Sequence, residues 1–175
     1  EQLQVWLDSS EDEHLEFKEA KNRFDFELLV RYCAALANEG GGKIVLGVTD
    51  RLPRAVVGTR AFRELSRTKA GIMERLLLRI EAEEIAHPNG PVQIFFVPPR
   101  PIGMPVGYKG AYWMRRSHSL VAMTPDMLKR IFAEGVPDFS AEPCLRARMA
   151  DLSPSAIGRF RAMWSRKSGN HSLEH

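Results

Sequence analysis

Apolar residues between positions 25 and 38 recur at the three- and four-residue spacing of one helical face. The stretch ends at three consecutive glycines, 40–42, and glycine just past the last helical residue is a common C-terminal signal because it adopts a left-handed conformation at little steric cost. The pattern predicts a helix that buries Leu28, Leu29, Tyr32, Cys33, Leu36 and Ala37.

Shorter apolar patterns predict the strands. Leu15 and Phe17 alternate with charged residues, which indicates a half-buried strand. Residues 43–49 form a nearly continuous apolar run, which is typical of a central strand covered on both faces. Further strands are predicted at 55–57, 92–97, 105–108 and 111–116.

Three more helices are predicted from apolar stripes and N-terminal capping residues. Residues 60–83 are predicted to be mostly helical. A threonine-proline pair predicts the start of a helix over 124–133, and another helix is predicted to begin near Ser153. Helices and hairpins are therefore interleaved, which predicts an α+β fold with a mixed β-sheet, about three flanking helices and a C-terminal helix. The buried stripe of the helix over 60–83 is expected to consist of Ile72, Met73, Leu76, Leu77 and Ile80.

The composition is that of one globular domain with a short appendage: 175 residues, 44% hydrophobic and 27% charged. No apolar run approaches the roughly 20 residues of a membrane span, and the first residues have no leader pattern, so a cytoplasmic location without a membrane partner is expected. Two isolated cysteines, Cys33 and Cys144, make neither a disulfide framework nor a paired metal site and are expected to be free thiols.

We expect four regions along the chain. A lead-in occupies 1–9, the principal domain 10–140, and a linker with the start of a following region 141–170. Residues 171–175 are expected to be a tail derived from a purification tag.

The net charge of +3 is distributed unevenly. Positions 1–19 hold seven carboxylates and one lysine, whereas positions 20–170 carry an excess of ten positive charges, mostly arginine. Arginine-rich surfaces favour partners that carry phosphate, although dispersed arginines also simply solvate a surface.

Two segments concentrate candidate phosphate contacts. Five arginines lie within 17 residues, and the last three have the spacing of one helical face, which either follows a phosphate backbone or is a solvated face. In the second segment, strand alternation places Tyr112, Met114 and Arg116 on one face and Trp113 and Arg115 on the other, a pattern that suits stacking with bases or packing in the core. The candidate nucleic-acid-binding residues are Arg51, Arg54, Arg60, Arg63, Arg67, Arg115, Arg116, Tyr112 and Lys18.

Three carboxylates form a separate candidate set. Glu16 lies on the first predicted strand and Asp50 follows the central one, so pairing of these strands would bring them together. With Glu11 they would offer oxygen ligands suited to Mg²⁺ or Mn²⁺, ions that assist phosphodiester cleavage; each is otherwise a solvated charge or a partner of Lys18 or an arginine. The glycines 40–42 do not form a P-loop, because the order of strand and helix is reversed.

The segments 15–19, 35–50 and 110–124 together resemble the AlbA-like domain of the Schlafen group over about residues 10–135. The resemblance implies a DNA- or RNA-binding domain, found in bacteria at the N-terminus of transcriptional regulators or divergent ATPases, where an ATP-binding region follows. Some vertebrate Schlafen proteins are metal-dependent ribonucleases, and their catalytic and metal-binding acids correspond to Glu11, Glu16 and Asp50.

Three functional hypotheses follow. The first is a nucleic-acid-binding module of a transcriptional-regulator-like protein, with DNA or RNA as partner and no cofactor. The second is a Schlafen-like endoribonuclease that uses Mg²⁺ or Mn²⁺. The third is a dimerisation or sensor scaffold, a homodimer without affinity for nucleic acid.

Overall fold

The structure is a computed structural model that describes residues 2–8, 14–116, 119–135, 145–146, 148 and 151–168. The chain divides into two compact units, Glu1–Val136 and Pro137–His175. Within the described residues, no helix is both long enough and apolar enough to cross a membrane. Cys144 lies outside the described residues, whereas Cys33 is a buried free thiol whose pKa is raised by burial.

The first unit contains four helices and seven strands among its described residues, and the second contains one helix, α5, over Pro154–Ser168. In chain order, the elements of the first unit are α1 (Gln2–Asp8), β1 (Leu15–Lys18), α2 (Phe26–Asn38), β2 (Gly42–Leu46), α3 (Leu65–Leu76), β3 (Glu81–Ile85), β4 (Val92–Val97), β5 (Gly107–Tyr108), β6 (Ala111–Arg116), β7 (Ser119–Ala122) and α4 (Pro125–Ala133).

The strands form two sheets. The first has the order β1-β2-β4-β3, with β1 parallel to β2 and the other neighbours antiparallel. The second is the antiparallel sheet β5-β6-β7. The prediction of an α+β fold with a mixed sheet is confirmed.

Helix α2 packs against both sheets. Its N-cap is Asp25, whose carboxylate accepts a hydrogen bond of 2.7 Å from the backbone N–H of Leu28. The apolar face is buried from Leu29 onward, whereas Leu28, which was predicted to be buried, is half-buried. On one side the helix contacts residues of the four-stranded sheet such as Ile44 and Phe95, and on the other it contacts Val106 and Trp113. The principal core therefore lies around this helix.

Asn38 fastens the end of α2 to the second sheet. Its side-chain amide donates to the carbonyl oxygens of Val106 at 2.9 Å and Trp113 at 2.8 Å. Its amide oxygen accepts from the backbone N–H of Val106 at 2.7 Å. Asn38 and Val106 are buried and Trp113 is half-buried, so these backbone groups have little access to water as an alternative partner.

The glycine turn after α2 serves backbone packing. Gly41 has a φ of +89°, and a Cβ there would lie 2.8 Å from the carbonyl oxygen of Val97. A Cβ on Gly42 would lie 2.4 Å from the carbonyl oxygen of His14. The turn thus lets α2 and β2 meet without displacing the neighbouring chain.

The predicted helix over 60–83 is wrong at both ends. Helix α3 ends at Leu76, and its C-cap residue Leu77 has a left-handed φ of +55° and is 89% exposed rather than part of a buried stripe. Beyond it, Leu78 and Ile80 are buried at alternate positions and lead into β3, which pairs with β4. Buried residues recur at helical spacing in α3 and at every second position after it, and this change of spacing indicates the strand.

Two further differences concern strands. The strand predicted at 55–57 is a single bridge between Val48 and Val56. Strand β7 was not predicted. The helices predicted after Thr124 and Ser153 are confirmed as α4 and α5.

We predict that Asn38→Ala lowers the free energy of unfolding by roughly 3 kcal/mol, because it leaves the backbone groups of Val106 and Trp113 buried without partners. Urea unfolding followed by circular dichroism measures the change. The matched control is Asn22→Ala at an exposed asparagine, which should stay within about 0.5 kcal/mol of the wild type. Equal stability of the two variants would contradict the conclusion that the hydrogen bonds of Asn38 stabilise the fold.

Candidate nucleic-acid interface

The first strand carries two charged side chains toward α2. Alternation along β1 sends Leu15 and Phe17 to the face covered by α1, where they pack with Leu7. Glu16 and Lys18 therefore point to the opposite face, and Glu16 is only 1% exposed.

Glu16 is held by cations from two strands. One carboxylate oxygen contacts the ammonium group of Lys18 at 2.7 Å, and the other contacts the guanidinium group of Arg115 on β6. The Arg115 side chain is 4% exposed, and its backbone N–H donates to Glu39 at 3.0 Å. This buried ion pair joins the edge of the first sheet to the second sheet.

Lys18 connects Glu16 with the other predicted carboxylate. Its ammonium group lies 3.5 Å from Asp50 and 5.6 Å from the centre of the Tyr32 ring. Burial opposes the charged form of Lys18, but the hydrogen bond and negative charge of Glu16 outweigh it, so the pKa of Lys18 lies above its ordinary value. Burial, followed by the charge of Glu16, raises the pKa of Tyr32.

The structure thus brings Glu16 and Asp50 to one lysine, as the predicted strand pairing implies. Their oxygens are the donor type that Mg²⁺ and Mn²⁺ prefer, but both oxygens of Glu16 already face cations. Glu11 lies outside the described residues. Among the residues that are described, no three acids, histidines or cysteines are grouped to hold a metal ion, so the metal site stays a prediction.

The predicted basic residues divide into interior and exposed groups. Arg115 is buried, and the guanidinium of Arg54 lies 4.2 Å from the centre of the Phe17 ring and donates to the carbonyl oxygen of Leu7 at 3.4 Å. The exposed group forms no ion pair with the carboxylates that the structure describes, and it consists of Arg51, Arg60, Arg63, Arg67 and Arg116.

The segment that carries Arg60 and Arg63 precedes α3, so the prediction that these arginines share a helical face with Arg67 is wrong. Its backbone is instead tied to the ends of the sheet. The N–H of Arg60 donates to the carbonyl oxygen of Lys21 at 2.8 Å, and the side chain of Gln93 donates to the carbonyl oxygen of Phe62 at 2.7 Å. An irregular segment with such anchors presents its side chains from a fixed backbone.

The alternation predicted for β6 is confirmed. Trp113 packs against the core beside α2, and its indole N–H donates to the carbonyl oxygen of Tyr108 at 3.0 Å. Tyr112 is half-buried on the other face, opposite Gly107. Arg116 is exposed at the end of the strand.

A groove of about 480 Å³ lies beside α3 and was not predicted from the sequence. Its aromatic wall comes from Phe26 and Phe62, and its basic rim comes from Arg67 and Arg75. These residues belong to three separate segments, and no local pattern indicates that they meet.

Comparison with known proteins identifies structures with a similar fold. No curated protein matches the chain. The DIP2311 protein from Corynebacterium diphtheriae is similar in structure, with a TM-score of 0.57 and 19% identity over 93% of this chain and 37% of that protein. The present chain therefore spans little more than a third of that relative's length, and the likeness concerns the fold alone.

The N-terminal domain of a RecG-related protein from Nitrosomonas europaea has a TM-score of 0.45 and 21% identity, over 65% of this chain and 88% of that domain. The family described as Schlafen, AlbA_2 matches residues 11–124, which is more than half of the chain. The chain therefore belongs to the Schlafen AlbA_2 family.

Proposed function

We propose that the chain is a nucleic-acid-binding module, with DNA or RNA as its partner, of a transcriptional-regulator-like protein. The observation that carries this proposal is the set of five exposed arginines without a described carboxylate partner. Membership of the Schlafen AlbA_2 family is consistent with an interaction with nucleic acid.

The chemistry of arginine supports the choice of partner. A guanidinium group keeps its charge at any physiological pH and offers forked N–H donors that match phosphate oxygens. An arginine already paired with a carboxylate would have to give up that contact, whereas Arg51, Arg60 and Arg63 are exposed and not engaged in this way. Binding to phosphate releases condensed counterions, so the affinity falls as salt rises.

Within this proposal, Lys18 and Arg115 serve the framework. Both contact Glu16, and Arg115 is too deeply buried to reach a phosphate. They fix the edge of the first sheet next to β6 and so support the exposed arginine at its end, Arg116.

The second candidate function is metal-dependent cleavage of RNA. It is favoured by one observation: Glu16 and Asp50 lie 2.7 and 3.5 Å from the same ammonium group. A divalent ion held by these acids with Glu11 would activate water and stabilise the leaving oxygen. For the ion to bind, Lys18 would have to move away from Glu16.

We predict that replacing Arg60 and Arg63 together by alanine weakens binding roughly tenfold at low salt. The slope of log affinity against log salt should also fall by about 2, because two phosphate contacts are lost. Fluorescence anisotropy of labelled DNA and RNA between 50 and 200 mM salt measures both quantities.

The matched control removes two exposed charges from α4, Lys129 and Arg130, where no contact is proposed. Its salt slope should equal that of the wild type. Equal salt slopes for the two double variants would contradict the proposed contacts of Arg60 and Arg63 with phosphate. Wild-type affinity that does not change with salt would reject the binding function, and a stable dimer in sedimentation would then favour the scaffold.

For the nuclease hypothesis, we predict that Asp50→Asn reduces Mn²⁺-dependent cleavage of RNA by more than about 100-fold. This loss is larger than the loss usually caused by mutating residues that only support the metal ligands. Asp50 is the suitable position because it is exposed, so its charge can be removed without leaving a buried cation unpaired. Glu19→Gln, at another exposed acid, is the control. Full cleavage by a folded Asp50→Asn protein would dispose of the catalytic role.

A further inference from the structure

The groove beside α3 combines flat apolar surfaces with positive charge. Phe26 and Phe62 meet edge to face, with ring centres 6.4 Å apart and planes at 78°. Phe62 is in turn set edge to face against the buried ring of Phe95, at 6.0 Å. The aromatic wall is therefore anchored in the core while remaining partly exposed along the groove.

Arg75 extends this wall. Its guanidinium carbon lies 4.9 Å from the centre of the Phe26 ring, and the group donates to the carbonyl oxygen of Gly71 at 2.9 Å. These two contacts hold the guanidinium plane in place. Arg75 forms no close ion pair with a carboxylate in the described part of the chain, and its charge acts on Glu27, whose pKa it helps to lower.

Gly71 explains why the groove exists at this place on the helix. A glycine inside a helix costs about 1 kcal/mol relative to alanine, so its presence in α3 requires a reason. A Cβ there would lie 3.1 Å from the tip of the Phe26 ring and 3.6 Å from the Arg75 guanidinium. The missing side chain lets the Phe26 ring lie against the helix, whereas the distance to Arg75 would be an ordinary van der Waals contact.

We propose that this groove receives one unpaired base of a single-stranded nucleic acid, whose neighbouring phosphates contact Arg67 and the exposed arginines before α3. This inference rests on the proposed function and specifies that the bound nucleic acid is single-stranded. A base has a flat face for the aromatic and guanidinium surfaces. It also has N–H groups at its edge, and Glu74, which is among the residues that line the groove, carries a carboxylate that can accept from such groups.

The shape and charge of the site favour this occupant. A cavity of about 480 Å³ falls within the range of roughly 300–1,000 Å³ that is typical of sites for small ligands. A duplex keeps its bases stacked and paired, so it has no free base face to offer to the aromatic wall. An apolar peptide side chain would use the phenylalanines but would bring no anionic group to Arg67 and Arg75.

The experiment compares labelled probes of equal length: single-stranded DNA, single-stranded RNA, duplex DNA, and a single strand of abasic sites with the same number of phosphates. The wild type should bind the strands with bases more tightly than the abasic strand by about fivefold to 150-fold, the usual contribution of one stacked base. The duplex carries twice as many phosphates over the same length, so it reports on contacts to phosphate without an unpaired base.

Ala70→Leu tests the groove itself. Ala70 is exposed on α3 and lines the groove, so a leucine there fills it without entering the core. The variant should bring the ratio of affinities for base-bearing and abasic strands close to one and leave duplex binding unchanged. Ser66→Leu, on the same helix but not in the lining, should keep the wild-type ratio.

A second pair of variants separates the guanidinium in the groove from positive charge in general. Arg75→Ala should reduce the ratio, whereas Arg79→Ala, at an exposed arginine outside the lining, should not. Equal, salt-dependent binding of all four probes by the wild type would overturn the groove and retain the proposed function. Absence of binding to every probe would overturn both, and an unchanged ratio in Ala70→Leu would overturn the groove alone.

Discussion

The burial of the Glu16 carboxylate is the constraint on which the rest of the first unit depends. A buried carboxylate loses several kcal/mol of hydration, and this loss is offset only by close cations with good geometry. Lys18 comes from the same strand, but Arg115 comes from the second sheet, far along the chain. The second oxygen of Glu16 therefore has its cation only when β6 lies beside the edge of the first sheet. Removing Arg115 would leave that charge short of a partner, at a cost of about 3–5 kcal/mol.

The same constraint divides the basic residues by role. Arg115 and Lys18 compensate the interior carboxylate, and Arg54 packs against Phe17, so these cations are already engaged. The proposed contacts with nucleic acid therefore fall to the exposed arginines, of which Arg60 and Arg63 lie on a segment hydrogen-bonded to neighbouring backbone and Arg67 lies on α3. A backbone fixed in this way loses little conformational freedom when a ligand binds, so more of the interaction energy is available as affinity.

The sequence predicts those features that depend on neighbouring residues. Helix α2 is predicted because its apolar spacing and glycine turn are local, and strand alternation predicts that Trp113 and Arg115 share one face of β6, but not that this face is the inward one. Strand β3 was missed because the helical stripe of α3 runs directly into alternation at Leu78 and Ile80. The partner of Glu16 could not be identified, since any arginine has the same local signature. The groove was invisible for a similar reason: Phe26, Phe62 and Arg75 come together only in the folded chain.

The exposed arginines and the groove would contribute to binding in physically different ways. Contacts between arginine and phosphate depend on the release of counterions, so their contribution shrinks as salt rises. Stacking of a base on Phe26, Phe62 and the Arg75 plane depends mainly on contact area and on the removal of water, which moderate salt changes little. Raising the salt should therefore weaken the attraction for any phosphate backbone while preserving the difference between a base-bearing and an abasic strand. On this proposal, the charges would bring the protein to nucleic acid in general, and the groove would determine whether the strand it retains is unpaired.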